Sequence, residues 1–353
     1  MADSKRRKKT PRFMEIAQLA GVSPSTVDRV LNERGSVSAN AREKVVSAAK
    51  QLGVPRVLPQ TRHGLIHIDV LLPANQDIVQ TAQATPSLSI LVEAVVAAGL
   101  AQNLSTGSLT VFAPTNAAFA ALLSELGVTK EALLANKPLL TAVLSYHVLS
   151  SRVARADVPV GKAITPLAGG FFKIEATGGL KVTDGRNRVS NITATDIQAS
   201  NGVVHLLDRV LLPADKDIVA TASALPDFSI LVEAVAAAGL VPTLQGQGPF
   251  TVFAPTNTAF TALLAELGVT KEALLADTAL LTSVLTYHVV SGRVLKAEVP
   301  VGSAITTVQG QTFTVNASLA ITDQRGRSSN IVATDVFTSN GVIHVVDKVI
   351  LPR

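Results

Sequence analysis

The sequence predicts a multidomain chain: a small all-α helix-turn-helix head, then two tandem α+β domains made of helices and antiparallel strands. Three observations predict it. Residues 77–213 and 217–352 are two copies of one unit, residues 12–53 carry three short helical patterns, and charge divides between these regions. TVFAPTNAAFAALLSELGVTKEALLA at 110–135 returns as TVFAPTNTAFTALLAELGVTKEALLA at 251–276. NGVVHLLDRVLLP at 201–213 returns as NGVIHVVDKVILP at 340–352. The offset falls from 141 to 139 between these blocks, so a two-residue deletion lies between them. Each copy is long enough to bury a core of its own, which a short solenoid repeat is not.

The chain is 47% hydrophobic and only 16% charged, a balance that favours packed domains over disorder. Aromatics make up 4%, so Ala, Val, Leu and Ile must build the cores. Cysteine is absent, which excludes disulfides, thiolate metal sites and a cysteine nucleophile. Residues 1–63 hold 13 Lys/Arg against 5 Asp/Glu, whereas the remainder holds 18 against 21. A basic head on a mildly acidic body points to a polyanionic partner. The run Lys5-Arg6-Arg7-Lys8-Lys9 could open a signal peptide, but Glu15 and Gln18 interrupt the segment Phe13–Val22, so no apolar region follows it. No stretch reaches the ~18 apolar residues needed to span a bilayer. The expectation is a cytoplasmic chain, with a surface or secreted location only if the join between head and repeats is an artefact. Oligomeric state is not readable.

In the head, Phe13, Ile16, Ala17 and Ala20 form one helical face, and Gly21 stops it. Ser23 is a suitable N-cap, and Pro24 fits the first helical position because its missing N–H would be unpaired there anyway. Val27, Val30 and Leu31 supply the inner face of the second helix, and Gly35 ends the connection after it. Ser38 caps a third helix with an expected buried stripe of Val45, Val46, Ala49 and Leu52. Two short helices joined through Ala-Gly-Val-Ser read as a helix-turn-helix. The run IAQLAGVSPSTVDRVLN closely resembles the DNA-binding headpiece of LacI-type bacterial repressors, and the likeness covers residues 12 to about 53. That resemblance implies double-stranded DNA as partner, with the second helix in the major groove. It implies base contacts from Pro24, Ser25 and Arg29, and phosphate contacts from Thr26, Asn32 and Ser38. Arg29 suits bidentate pairing with a guanine edge, while Pro24 offers only apolar contact. Lys5, Arg6 and Arg7 of the basic tail 1–11 read either as a solvated tail or as a phosphate-contacting arm. The linker 54–76 departs from the family, because Pro59 would break a hinge helix there. Its segment 65–75 reads as an apolar strand, and LIHIDVLLPANQDIV at 65–79 echoes VVHLLDRVLLPADKDIV at 203–219, as though head and repeats were joined at a shared stretch.

Each repeat opens with a short amphipathic helix (77–84, 217–224), followed by a second closed by Gly99 or Gly239. TVFAP reads as a buried strand, Thr-Asn as the cap of the next helix, and 133–146 and 274–287 as continued helix. The second half of each copy shifts to short Val/Ile/Thr-rich runs between turns, the pattern of an antiparallel sheet. Helices followed by strands make an α+β unit. TVFAPTNxAF, the Tyr-His pair and NGVxHxxDxVxLP together resemble the fasciclin domain, across nearly all of both copies. The resemblance implies a wedge-shaped β-sheet with helices at one end, a surface adhesion role with a protein ligand, and no catalysis.

Tyr146-His147 and Tyr287-His288 are the candidate motif residues, with His205 and His344 near enough in pattern to approach them. Asp157 and Glu298, ten residues on, could orient the imidazoles, but no nucleophile recurs at catalytic spacing. The plainer reading is that each histidine satisfies buried backbone groups. No catalytic residue, metal site or cofactor is expected. Two functions compete: a DNA-binding regulator with fasciclin domains in place of a sugar-binding core, and an adhesion protein carrying the head as a passenger.

Overall fold

The computed structural model describes residues 11–32, 36–52 and 76–353, which fall into two compact units, the head and the repeat pair. Lys5, Arg6, Arg7, Gly35, Pro59 and the strand-like run 65–75 lie outside the described residues.

The head contains α1 (Pro11–Ala20), α2 (Pro24–Leu31) and α3 (Ala39–Gln51). Gly21 ends α1 at φ 63°, a left-handed conformation that favours glycine. Ser23 caps α2 by accepting from the Thr26 N–H at 3.2 Å, with Pro24 at the first position. Ser38 caps α3 through Ala41 N–H. Ile16, Ala20, Val27, Val30, Leu31, Val45 and Ala49 bury together where the three helices meet. Leu52 departs from the expected stripe. It is the C-cap of α3, leaves the helical register there, and is 37% exposed, so Ala48 takes the inward place.

The first repeat runs α4 (Ile78–Gln83), α5 (Ser89–Ala98), α6 (Ala101–Leu104), β1 (Leu109–Pro114) and α7 (Asn116–Leu126). It continues with α8 (Lys130–Ala135), α9 (Lys137–Tyr146), β2 (Val148–Leu149) and β3 (Ala163–Ile164). The sheet is completed by β4 (Phe172–Glu175), β5 (Lys181–Thr183), β6 (Val189–Ala199) and β7 (Gly202–Leu207). Thr115 caps α7, while Asn116 turns its amide to α5, accepting from Ile90 N–H and donating to Pro86 O and Ser89 Oγ. The expected continuous helix over 133–146 is two helices. Asn136, outside helical geometry, ends α8 and its side chain caps α9.

The strands form one sheet in the order β2-β1-β7-β6-β5-β4-β3. Contrary to a purely antiparallel reading, β1 and β7 run parallel from Leu109↔Gly202 to Pro114↔Leu207, so the sheet is mixed. A parallel pair needs a long crossover, and the intervening strands supply it. Strand alternation sends Val111, Ala113 and Val204 into a helical core with Leu91, Phe119 and Leu140. Phe112 and Leu207 face a second core with Tyr146, Phe172 and Ile174. The turn Asn201-Gly202 locks both layers. Asn201 accepts from Ile78 N–H and donates to Leu104 O, and a Cβ on Gly202 would sit 2.1 Å from Leu109 O.

The second repeat has α10 (Ile218–Ser223), α11 (Ser229–Ala237), α12 (Val241–Leu244), β8 (Phe250–Pro255) and α13 (Asn257–Leu267). Then come α14 (Lys271–Ala276), α15 (Thr278–Tyr287), β9 (Val289–Ser291), β10 (Ala304–Thr306) and β11 (Thr312–Val315). The unit closes with β12 (Ala320–Thr322), β13 (Ser328–Thr338) and β14 (Gly341–Val346), in the sheet order β10-β11-β12-β13-β14-β8-β9.

The copies meet through unlike faces. Lys173 of β4 places its ammonium 2.8 Å from Asp335 and 2.7 Å from Glu175, with Asp335 buried. Burial opposes the Lys173 charge, but the hydrogen bonds it donates to Asp335 and Glu175 outweigh this and hold the pKa above its ordinary value. Asn187 grips the Phe337 backbone twice, donating to its carbonyl at 3.1 Å and accepting from its N–H at 2.6 Å. Phe171 packs on Phe337 with ring centroids 4.7 Å apart.

Two outcomes follow from these contacts. Gly202→Ala forces the β1–β7 register apart and is expected to cost about 1–3 kcal/mol, as overpacking does, read from chemical denaturation. Lys173→Met strands the buried Asp335 carboxylate and is expected to cost about 3–5 kcal/mol, splitting the unfolding of the repeat pair into two calorimetric transitions.

Candidate nucleic-acid interface and the buried histidines

The second helix of the head has two faces. Val27, Val30 and Leu31 are buried, while Pro24, Ser25 and Arg29 are exposed. Arg29 stands in the last turn of α2, on the same side as the exposed Ser25 one turn earlier, while the exposed Pro24 opens the helix. The Ser23 hydroxyl lies 2.8 Å from that of Ser25 and 2.9 Å from that of Thr26. Ser23 has one proton to give, so at least one of the other two hydroxyls donates to it and must rotate to serve a phosphate. The exposed Asn32 donates to Asp28 Oδ1 at 2.6 Å. Ser38 is exposed, its oxygen engaged as the cap of α3.

The histidines of the repeats present a different picture. His147, following α9, donates from Nδ1 to Val143 O at 2.7 Å and accepts at Nε2 from Leu211 N–H at 2.9 Å. His288 does the same with Val284 O at 2.8 Å and Ile350 N–H at 3.1 Å. One nitrogen must donate and the other accept, so each ring is neutral with its proton on Nδ1. Asp157 and Glu298 do not bond these rings; Glu298 instead accepts from Leu295 N–H. Tyr146 donates to Phe171 O, and Tyr287 donates to Thr312 O at 2.8 Å while accepting from Gln324 N–H.

His205 does not join His147. His147 borders the helical core beside Val148 and Val204, whereas His205, one residue on, faces the other side of the sheet, 5.3 Å from Phe112. There it accepts from Asp196 N–H at 3.2 Å and donates to Val153 O at 2.9 Å. Asp196 has φ 59° within an irregular stretch of β6, so His205 secures a bulge. His344 secures the matching bulge at Asp335 and donates to Val294 O.

Motif reading passed over the buried carboxylates Asp184 and Asp323. Asp184 accepts from Arg186 N–H, Arg188 N–H and Leu212 N–H, and pairs with the Arg188 guanidinium at 2.9 Å. The signal was present, because both copies carry Thr-Asp followed by Arg-x-Arg. Among the described residues, no group of three or more His, Cys, Asp or Glu is arranged to hold a metal. No helix among them is long and apolar enough to cross a membrane.

Burial lowers the pKa of both His147 and His288 to about 4, against the pull of their backbone acceptors Val143 and Val284. The unfolded chain takes up these protons from about 6.5 downward. Stability contributed by the neutral rings is therefore complete above about 6.5 and lost as pH falls toward about 4. Denaturation midpoints are expected to decline across that window. In His147→Asn, stability at neutral pH is lower and the decline shallower; an unchanged slope would contradict the assignment.

Family models match residues 86–213 and 226–352 as the fasciclin domain, and residues 13–54 as the lacI family of bacterial regulatory proteins. Both are non-catalytic families. The transforming growth factor-beta-induced protein ig-h3 of Sus scrofa is 30% identical over 252 residues, covering 70% of this chain and 35% of that protein. Protein sll1483 of Synechocystis is 44% identical over 136 residues, covering 38% of this chain and 73% of that protein. Human periostin is 26% identical over 302 residues, covering 83% of this chain and 33% of that protein. The chain thus spans about a third of the length of the mammalian ig-h3 proteins it matches. With the fasciclin model matching residues 86–213 and 226–352, well over half of its length, the chain belongs to the fasciclin domain family.

Proposed function

We propose that the chain is a DNA-binding regulator whose second head helix docks in the major groove, with the fasciclin pair occupying the place of an effector core. The observation that carries this reading is the division of α2, with its apolar side spent on the head's own core and Pro24, Ser25 and Arg29 left to solvent. Arg29 would read a guanine edge by its bidentate fork, Pro24 would press on a thymine methyl, and Thr26, Asn32 and Ser38 would position the helix on phosphates. Lys5, Arg6 and Arg7 would add charge attraction. Helix-turn-helix heads read paired half-sites when the protein dimerises. A single head would bind weakly, with a non-specific Kd on the order of 10⁻⁴–10⁻⁶ M and steep salt dependence.

A second reading is ligand binding by the fasciclin pair with the head as passenger. It is favoured by the share of the chain the family covers, residues 86–213 and 226–352. Cell fractionation separates the two: a nucleoid-associated pool supports regulation, and recovery from envelope or medium supports the alternative.

Fluorescence anisotropy on labelled duplexes tests the DNA assignment. Arg29→Ala is expected to lower affinity for a selected site by about 1–3 kcal/mol while leaving random DNA nearly unchanged. Equal loss on both duplexes would remove Arg29 as a base reader, and no binding at low salt would remove the proposal.

A further inference from the structure

The junction between the repeats holds a cation, Arg293, that makes no ion pair with another described residue. Arg293 lies with its guanidinium 4.1 Å from the centre of the Phe171 ring, so one copy's aromatic carries the other copy's cation. The stack sits at the wall of an open cleft of about 450 Å³, bordered also by Gln247, Gly248, Pro249 and Asn340. That volume is within the range of small-molecule sites, ~300–1,000 Å³. Arg293 is the only ionisable side chain on the cleft wall among the described residues. The Asn340 amide is spent inside the fold, donating to Leu244 O and Gly246 O while accepting from Ile218 N–H.

The other copy shows what an arginine at this place normally does. Arg152, the counterpart of Arg293 one repeat earlier, donates to the side chain of Gln198. The residue matching Gln198 in the second copy is Phe337, which has no acceptor and packs instead on Phe171. Arg293 therefore loses its amide partner, and its N–H groups make no hydrogen bond and no ion pair with other described residues. Burial lowers its hold on the proton relative to an ordinary arginine, with Glu298 acting in the opposite sense. A planar cation fixed on a ring, partly stripped of water and still holding its donors, is the geometry that takes a carboxylate by two parallel bonds.

We infer that the cleft between the two repeats is a binding site for a carboxylate with a flat apolar body, gripped by the Arg293 fork that the buried Phe171 ring holds in place, with Pro249 beside the apolar body. The site exists only where the two copies meet, because Phe171 and Arg293 come from different repeats.

Isothermal titration of the full chain with benzoate, and with the neutral benzamide, tests the inference. Benzoate is expected to bind saturably, at least about tenfold more tightly than benzamide. Arg293→Gln is expected to abolish the preference, and Arg152→Gln to leave it intact. Should Arg293→Gln disturb folding, Arg293→Lys decides, since it keeps the charge but not the fork. With an unchanged thermal midpoint it is expected to lose most of the benzoate affinity. A peptide with a free C-terminal carboxylate, set against its amide, shows whether a chain end or a small molecule is the better source. Absence of saturable benzoate binding, equal affinity for benzamide, or undiminished binding by either Arg293 variant would overturn the site.

Discussion

The neutral imidazole at the end of α9, repeated at the end of α15, is the tie on which each fasciclin copy depends. His147 joins Val143 O to Leu211 N–H, and His288 joins Val284 O to Ile350 N–H. One ring thus binds the last helical turn to the segment that closes the domain, between groups far apart in sequence. The bond pattern requires a proton on one nitrogen only, and burial enforces that state. The same facts remove these rings from chemistry. An imidazole with both nitrogens committed to backbone cannot act as base, acid or ligand without breaking the core it holds.

A related economy governs the sheet. Bulges at Asp196 and Asp335 are stitched by His205 and His344, so a local irregularity is made rigid. In the second copy this rigid point also becomes the acceptor for Lys173 of the first. The copies are nearly identical where they bury their own cores and unlike where they touch. Phe171, Lys173 and Asn187 on one side correspond to Thr312, Thr314 and Gly326 in the second copy, and Phe337 corresponds to Gln198 in the first. The contacts are consequently made once, at the junction, in head-to-tail fashion.

Much of this was legible beforehand. Ser23-Pro24 and Thr115 announce helix starts because a hydroxyl satisfies an orphan N–H in any context, and the matched blocks announce two domains. Other features escaped. Asn136 breaks a run that hydrophobic pattern alone reads as one helix, since Leu133 and Leu140 keep the same face across the break. Leu52 looks like core by spacing but lies past the last turn. Asp184 and Asp323 are polar letters whose burial depends on backbone N–H groups, of Leu212 and Leu351, brought from elsewhere.

The sequence alone, then, established the duplication, read from the matched blocks, and the helix starts, their caps and the exposed face of α2, which rest on interactions within a few residues. The parallel pairing of β1 with β7, the opposite facing of His147 and His205, and the placing of Arg293 on Phe171 were decided only by tertiary structure. These depend on strands and copies meeting across long stretches of chain, and no short window of sequence records which backbone group or ring will arrive on the other side.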